Sequence, residues 1–207
     1  MAKSLSTLVD ECEGMATASF LSHLVRDTFP GKVLVTASLR ARSIATLRMI
    51  ADIEPATPVV FCHVKNVFQE SLDYRAEIIE ALGLTDVRTP APDSGTLDGD
   101  CYHSEALWAE DPIDGTHTYT TVPLNETLKD FDCWVSAVYH GPYSDAPRPR
   151  LVEEGRLVRV DPLVGWSKDE VRGYLKERGL PFHPKAMQRM HKPAAPLPII
   201  PGHDYHY

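Results

Sequence analysis

The sequence predicts an α/β protein with a doubly wound, mostly parallel sheet, an N-terminal helical segment and an extended C-terminal arm. Two of the supporting observations are short, continuous apolar runs, Val33 to Val35 and Pro58 to His63, of the kind found in strands buried on both faces. The third is that each run is followed by apolar residues at helical spacing, in Ser43 to Ile53 and in Gln69 to Leu82. Alternating strands and helices give right-handed crossovers, with ligands expected beyond the carboxyl ends of the strands.

Residues 1–30 form the helical segment. Leu8, Cys12, Met15, Phe20, Leu21, Leu24 and Val25 recur at helical spacing, as one or two amphipathic helices would require, and Pro30-Gly31 ends them. Residues 31–184 form the main domain. After its first two strand–helix units, "DVRTPAP" reads as a third edge. Residues 90 to 120, rich in Asp, Gly, Thr and His, show no period and read as a long surface loop with one turn of helix around Ser104 to Glu110. A helix near Leu124 to Lys129, a strand at Cys133 to Tyr139, the loop "HGPYSDAPRPR", a strand near Leu157 to Asp161 and a helix from Ser167 to Arg178 follow. Ser167 and Glu170 have capping-box spacing, and Gly179 suits the position just past the helix end. Residues 185–207 are proline-rich and are expected to form an arm laid on a surface or on a second copy, which points to a homo-oligomer.

The 207 residues, 43% hydrophobic and 24% charged, are enough for one substantial core. A net charge of −8 argues against nucleic-acid binding, which needs a basic surface. No apolar run approaches the roughly 20 residues of a membrane span and the N-terminus lacks a secretory pattern, so a cytoplasmic protein with no membrane partner is expected. Cys12, Cys62, Cys101 and Cys133 are scattered without a C-x-x-C pair and read as reduced thiols.

The stretch "VLVTASLRARS", residues 33 to 43, carries the first chemical signal. An apolar strand that ends in small residues and turns into a helix brings backbone N–H groups and a helix dipole to one point, an arrangement suited to a phosphate. Glycine, which allows the closest backbone approach, is missing, while Arg40 and Arg42 supply cationic charge.

Further along, Pro162-Leu163, Trp166, Val171, Tyr174, Leu180-Pro181 and His183-Pro184 form a combined pattern. Together with "GKVLVTASLRARSIATLRMIADIEPATPVVF", "NVFQESLDYRAEIIEALGL", Val122-Pro123-Leu124 and Trp134, it resembles the adenine nucleotide α-hydrolase-like group. Within that group the sequence is similar to phosphoadenosine phosphosulfate reductase and adenylyl-sulfate reductase, the sulfonucleotide reductases. The likeness spans most of residues 30 to 184. It implies a small-molecule partner, an adenine nucleotide or sulfonucleotide, held by Thr36, Ser38, Arg40, His63, Tyr139 and His140.

The chain departs from the family pattern at the reacting groups. The resemblance implies a cysteine nucleophile in a C-terminal tail, yet no cysteine follows Cys133. Tyr139 and His140 stand where the family has two arginines, Cys62-His63-Val64 where it has Asp-Thr-Gly, and Ser38-Leu39-Arg40 where it has Ser-Phe-Gly. Gly115 and Thr116 occupy the place of the cluster-binding cysteine pair, so no iron–sulfur cofactor is expected. No catalytic residue is assigned.

Each remaining candidate has a plainer alternative. The pocket residues are also compatible with an inherited scaffold refilled for packing. Cys62-His63 reads as nucleophile and base or as a metal pair, or else as a core cysteine beside a strand-end histidine, because neighbours on a strand face opposite ways. Cys101 with His103 is either a replacement nucleophile or a surface thiol. His183, His191, His203 and His206 are too irregularly placed for a metal to be assigned. Two functions follow from the resemblance: an enzyme of sulfur or nucleotidyl transfer that works without the tail cysteine, or a non-catalytic binding or assembly protein on the same frame. Thioredoxin-dependent reduction of the usual kind is not expected.

Overall fold

The computed structural model describes residues 4–62, 69–88, 104–110, 117–137 and 149–184, with the backbone alone at 104–110 and 117–123. The expected arm at 185–207 lies outside the described residues. Eight strands are present among them: β1 (Val33–Ala37), β2 (Val59–Phe61), β3 (Val87–Arg88), β4 (Ser104–Glu110), β5 (His117–Pro123), β6 (Cys133–Ser136), β7 (Leu151–Glu154) and β8 (Leu157–Val160). The helices are α1 (Leu5–Cys12), α2 (Thr17–Ser22), α3 (Ala41–Ile53), α4 (Gln69–Leu82), α5 (Asn125–Leu128) and α6 (Lys168–Glu177); α2 runs on into a π-helical segment, His23–Thr28.

Six strands form one sheet in the order β3-β2-β1-β6-β8-β7. All neighbours are parallel except β7 and β8. Chain order therefore runs outward from β1 to β2 and β3 on one side, and the other side of β1 is taken by β6. This is the doubly wound arrangement the sequence predicts, with the switch point between β1 and β6.

Alternation along the strands divides the core in two. Val33, Val35, Ala37, Val59, Phe61, Cys133 and Val135 face a cluster shared with α3, α4, α6 and the N-terminal helices. Leu34, Val60, Cys62, Trp134 and Leu157 face the opposite way, onto Leu124, Leu128 and Phe131. Helix α3 is buried nearly all round, from Ser43 to Ala51, because it lies between the sheet and other helices. Helix α4 buries only Ser71, Tyr74, Ile78 and Leu82, a single stripe at helical spacing. Arg150, just before β7, donates to the Met15 carbonyl at 3.0 Å and stacks 3.8 Å from the Phe20 ring, tying the N-terminal helices to the far edge of the sheet.

Two expectations need correction. Ser104 to Glu110, read as a turn of helix within a loop, is strand β4, paired antiparallel with β5 from Ser104↔Pro123 to Glu110↔His117. The β-branched and aromatic run Thr118 to Val122 supplies a partner that local periodicity does not reveal. The second is β7, absent from the sequence reading. It pairs with β8 through a two-residue turn at Gly155-Arg156, and Gly155 at φ 64° provides the positive φ that the first turn position of such a hairpin needs. Other elements fall where the sequence places them. Ser167 caps α6 through the reciprocal box with Glu170, at 2.7 and 3.2 Å.

An ionic clamp joins α3 to the end of α6. Asp52 accepts from Arg48 on its own helix and from Arg178 at 3.1 Å, and Arg178 stacks 5.2 Å from the Tyr174 ring. The Arg48 hydrogen bond, with Arg178 adding to it, holds the Asp52 carboxyl below its ordinary value. A lowered folded-state value stabilises above the unfolded pKa and is lost as pH falls through the folded one. Asp52→Asn is therefore expected to cost up to about 1 kcal/mol at neutral pH, as half-exposed pairs do. In urea melts the two chains should converge on acidification below about pH 4; a gap independent of pH would exclude the clamp.

Candidate functional site at the β1–β6 switch point

The carboxyl end of β1 lies between its two parallel neighbours. The Cys62 N–H donates to the Ala37 carbonyl at 2.8 Å, and the Ala137 N–H donates to the Thr36 carbonyl at 2.9 Å. From there the chain passes through Ser38, Leu39 and Arg40 into α3. Arg40 is the N-cap, extended at φ −91°, ψ 155°, and its side chain does not cap the helix. The first turn of a thirteen-residue helix thus follows the carboxyl end of β1 after three residues, and the N–H groups and dipole at such a helix start favour an anion.

Three of the sequence-predicted residues lie in the described structure. Thr36 is fully buried on the second face of the sheet, where its hydroxyl accepts from Trp134 Nε1 at 2.7 Å. Ser38 is buried at the strand end. Arg40 is exposed at the rim. His63, Tyr139 and His140 lie outside the described residues, as do Cys101 and His103.

The loop is closed on itself by hydroxyls. Ser43, in the first turn of α3, donates to the Ala137 carbonyl at 2.7 Å and accepts from the Ser38 N–H at 3.0 Å. Ser38 Oγ stands 2.9 Å from Ser43 Oγ and accepts from the Arg40 N–H at 3.4 Å. Sequence reasoning passed over Ser43, although a serine five residues beyond Ser38 on the buried side of a helix start was the available signal.

The two loop arginines have different surroundings. Arg42 donates to the carbonyls of Trp166 at 3.0 Å and Leu163 at 2.6 Å, with Asp161 3.9 Å away, so its fork holds the β8–α6 connection. Arg40 carries the loop's cationic charge at the rim.

The segment after α6 is held against α4. His183 Nε2 lies 2.9 Å from Ser71 Oγ, and its ring meets Tyr74 edge-on at 5.0 Å. The Tyr74 hydroxyl donates to the Pro181 carbonyl at 2.9 Å, and burial pushes that phenol well above its ordinary range. Residues 180–184 are thereby seated on the first turns of α4. The thiols of Cys12, Cys62 and Cys133 are all buried, and burial, with Asp132 adding to it, raises Cys133 far above the ordinary thiol value. Cys62 belongs to the second-face core, as its plainer reading expects.

Fold and site together define a doubly wound α/β protein in which a helix N-terminus and an exposed arginine lie just past the carboxyl end of β1, at the β1–β6 switch point. The family model described as the phosphoadenosine phosphosulfate reductase domain matches residues 32–189, and the chain belongs to that family. It is similar to an adenosine 5′-phosphosulfate reductase of Staphylococcus haemolyticus, 25% identical over 170 residues, covering 81% of this chain and 69% of the relative. It is also similar to a phosphoadenosine 5′-phosphosulfate reductase of Alkalilimnicola ehrlichii, 26% identical over 164 residues, covering 75% and 65%. The matched region thus spans about two thirds of each of these curated relatives. Among solved structures, the phosphoadenylyl-sulfate reductase of Candida auris in complex with phosphate shares the fold, with a TM-score of 0.63 at 16% identity, over 94% of this chain and 96% of that one.

The Thr36–Trp134 bond should be measurable. Thr36→Val keeps the shape and removes the acceptor, leaving a buried indole N–H without it, which is expected to cost about 1–3 kcal/mol. Chemical denaturation checks the value; a loss within error of zero would mean that the indole finds another acceptor.

Proposed function

We propose that this protein binds an adenine nucleotide or sulfonucleotide at the carboxyl end of β1 and acts in sulfur or nucleotidyl transfer. The observation that carries the reading is the join between β1 and α3. A helix start and an exposed arginine meet at the switch point of a chain that belongs to the phosphoadenosine phosphosulfate reductase family. The names of its relatives, reductases of adenosine 5′-phosphosulfate and of its 3′-phosphorylated form, indicate the ligand class.

In this reading the first turn of α3 and the Arg40 guanidinium take the anionic groups, and Ser38 shapes the loop beneath them. His63, Tyr139 and His140 complete the pocket from the segments that follow Cys62 and Ala137. The reacting group is not one of the three described thiols. Each is buried, and for Cys133 burial raises the thiol far above its ordinary value, away from the thiolate that would attack sulfur.

The test is a thermal-shift panel of ATP, adenosine 5′-phosphosulfate, its 3′-phosphorylated form and adenosine 3′,5′-bisphosphate. A ligand that binds the native state must raise its melting temperature. Arg40→Ala is expected to weaken the best binder about 10- to 100-fold, the value of a charge-assisted contact. No stabilisation by any of the four would reject the reading and favour a non-catalytic scaffold.

A further inference from the structure

Ser43 lies outside the residues assigned above to the nucleotide, yet the loop closes on it. Its side chain is fully buried, and a buried hydroxyl must be matched by partners. It is matched on both sides of the switch point. The hydroxyl proton goes to the Ala137 carbonyl at the end of β6, 2.7 Å away. With that proton committed, Ser43 Oγ meets Ser38 only as an acceptor, from the Ser38 N–H at 3.0 Å and from the Ser38 hydroxyl at 2.9 Å. The protons therefore run in one direction, from Ser38 to Ser43 to Ala137. This leaves a lone pair of Ser38 Oγ to receive the Arg40 N–H at 3.4 Å.

We propose that Ser43 is a positioning residue of the nucleotide site, fixing the loop at Ser38–Arg40 against the end of β6 so that the two walls of the crevice keep one spacing. The proposal rests on the nucleotide reading given above. It has a consequence for recognition. Because the amides of Ser38 and Arg40 are engaged by hydroxyls, an anionic group is met by the first turn of α3 and the Arg40 side chain, not by those loop amides. The loop thereby does without the glycine that a backbone cradle would need.

The experiment uses the full chain with adenosine 3′,5′-bisphosphate as probe in isothermal titration, alongside amide hydrogen exchange at Ser38. Ser43→Ala, Ser38→Ala and the double variant are compared with wild type. Ser43→Ala removes all three hydrogen bonds of Ser43 Oγ and is expected to weaken the probe about tenfold, roughly 1.4 kcal/mol, and to speed exchange of the Ser38 amide. Because Ser38 and Ser43 share one hydroxyl contact, the double variant should lose less than the sum of the two single losses, any excess over Ser43→Ala alone reporting the contact of Ser38 to the Arg40 N–H. If Ser43→Ala does not fold, Ser38→Ala, which removes the Ser38 hydroxyl from Ser43 and from the Arg40 N–H but keeps the bond to Ala137, must itself weaken the probe; full affinity there would overturn the proposal. Unchanged affinity in Ser43→Ala with faster exchange would also overturn it, leaving a loop lock with no part in binding. Failure of the wild type to bind the probe, with exchange still accelerated in Ser43→Ala, would instead reject the nucleotide reading and reduce Ser43 to that lock.

Discussion

At its carboxyl end β1 is bounded by β2 on one side and β6 on the other and covered by side chains on both faces, so each polar group there must find a partner within the protein. The Thr36 carbonyl is met by the Ala137 N–H, the Ala37 carbonyl by the Cys62 N–H, the Thr36 hydroxyl by the Trp134 indole and the Ser38 amide by Ser43. Leaving one such group unmet costs about 1–3 kcal/mol, against a typical total stability of about 5–15 kcal/mol. The partners come from β2, β6 and α3. Satisfying the core therefore fixes where α3 begins and where the segment after Ala137 departs, and these are the walls of the crevice.

The residues that make the sequence resemble its family are mostly packing residues. Val171 is buried in the main core beside Leu180. Trp166 donates to Thr17 Oγ1 at 3.2 Å and meets Tyr174 edge-on at 5.8 Å. Pro181 and His183 are seated on Tyr74 and Ser71 of α4. These contacts hold α6 and the following segment against α2 and α4. The frame can consequently persist while the residues at the strand ends change, and this chain shows that combination.

What could be read from the sequence divides along the same line. Apolar period predicted β1, β2, α4 and α6 well, because their burial patterns are continuous and local; Gln69 to Leu82 falls on α4 at both ends. The β4–β5 pair was missed because a two-stranded ribbon draws its order from a partner strand rather than from period. β7 was missed because "LVEEGRLV" lies beside a loop rich in proline and glycine that masked its turn. At the site, the residue types at the strand end were legible, but their directions were not. Thr36 and Ser38 both read as hydroxyls for a ligand, yet the pleat turns Thr36 toward Trp134 on the second face. The role of Ser43 depends on the end of β6, ninety-four residues further along, which no local pattern contains.

Arg40 and Arg42 show how little of a site's chemistry residue type alone decides. They are two positions apart, and in a helix that spacing sends side chains to different sides. Arg42, inside the first turn, reaches back to the carbonyls of Leu163 and Trp166 and is bound there by geometry suited to a planar fork. Arg40, at the N-cap and still extended, stays at the rim beside the dipole of α3. An arginine there, with no glycine in the loop, fits an anion-binding site in which a side chain has taken over part of the work of the backbone.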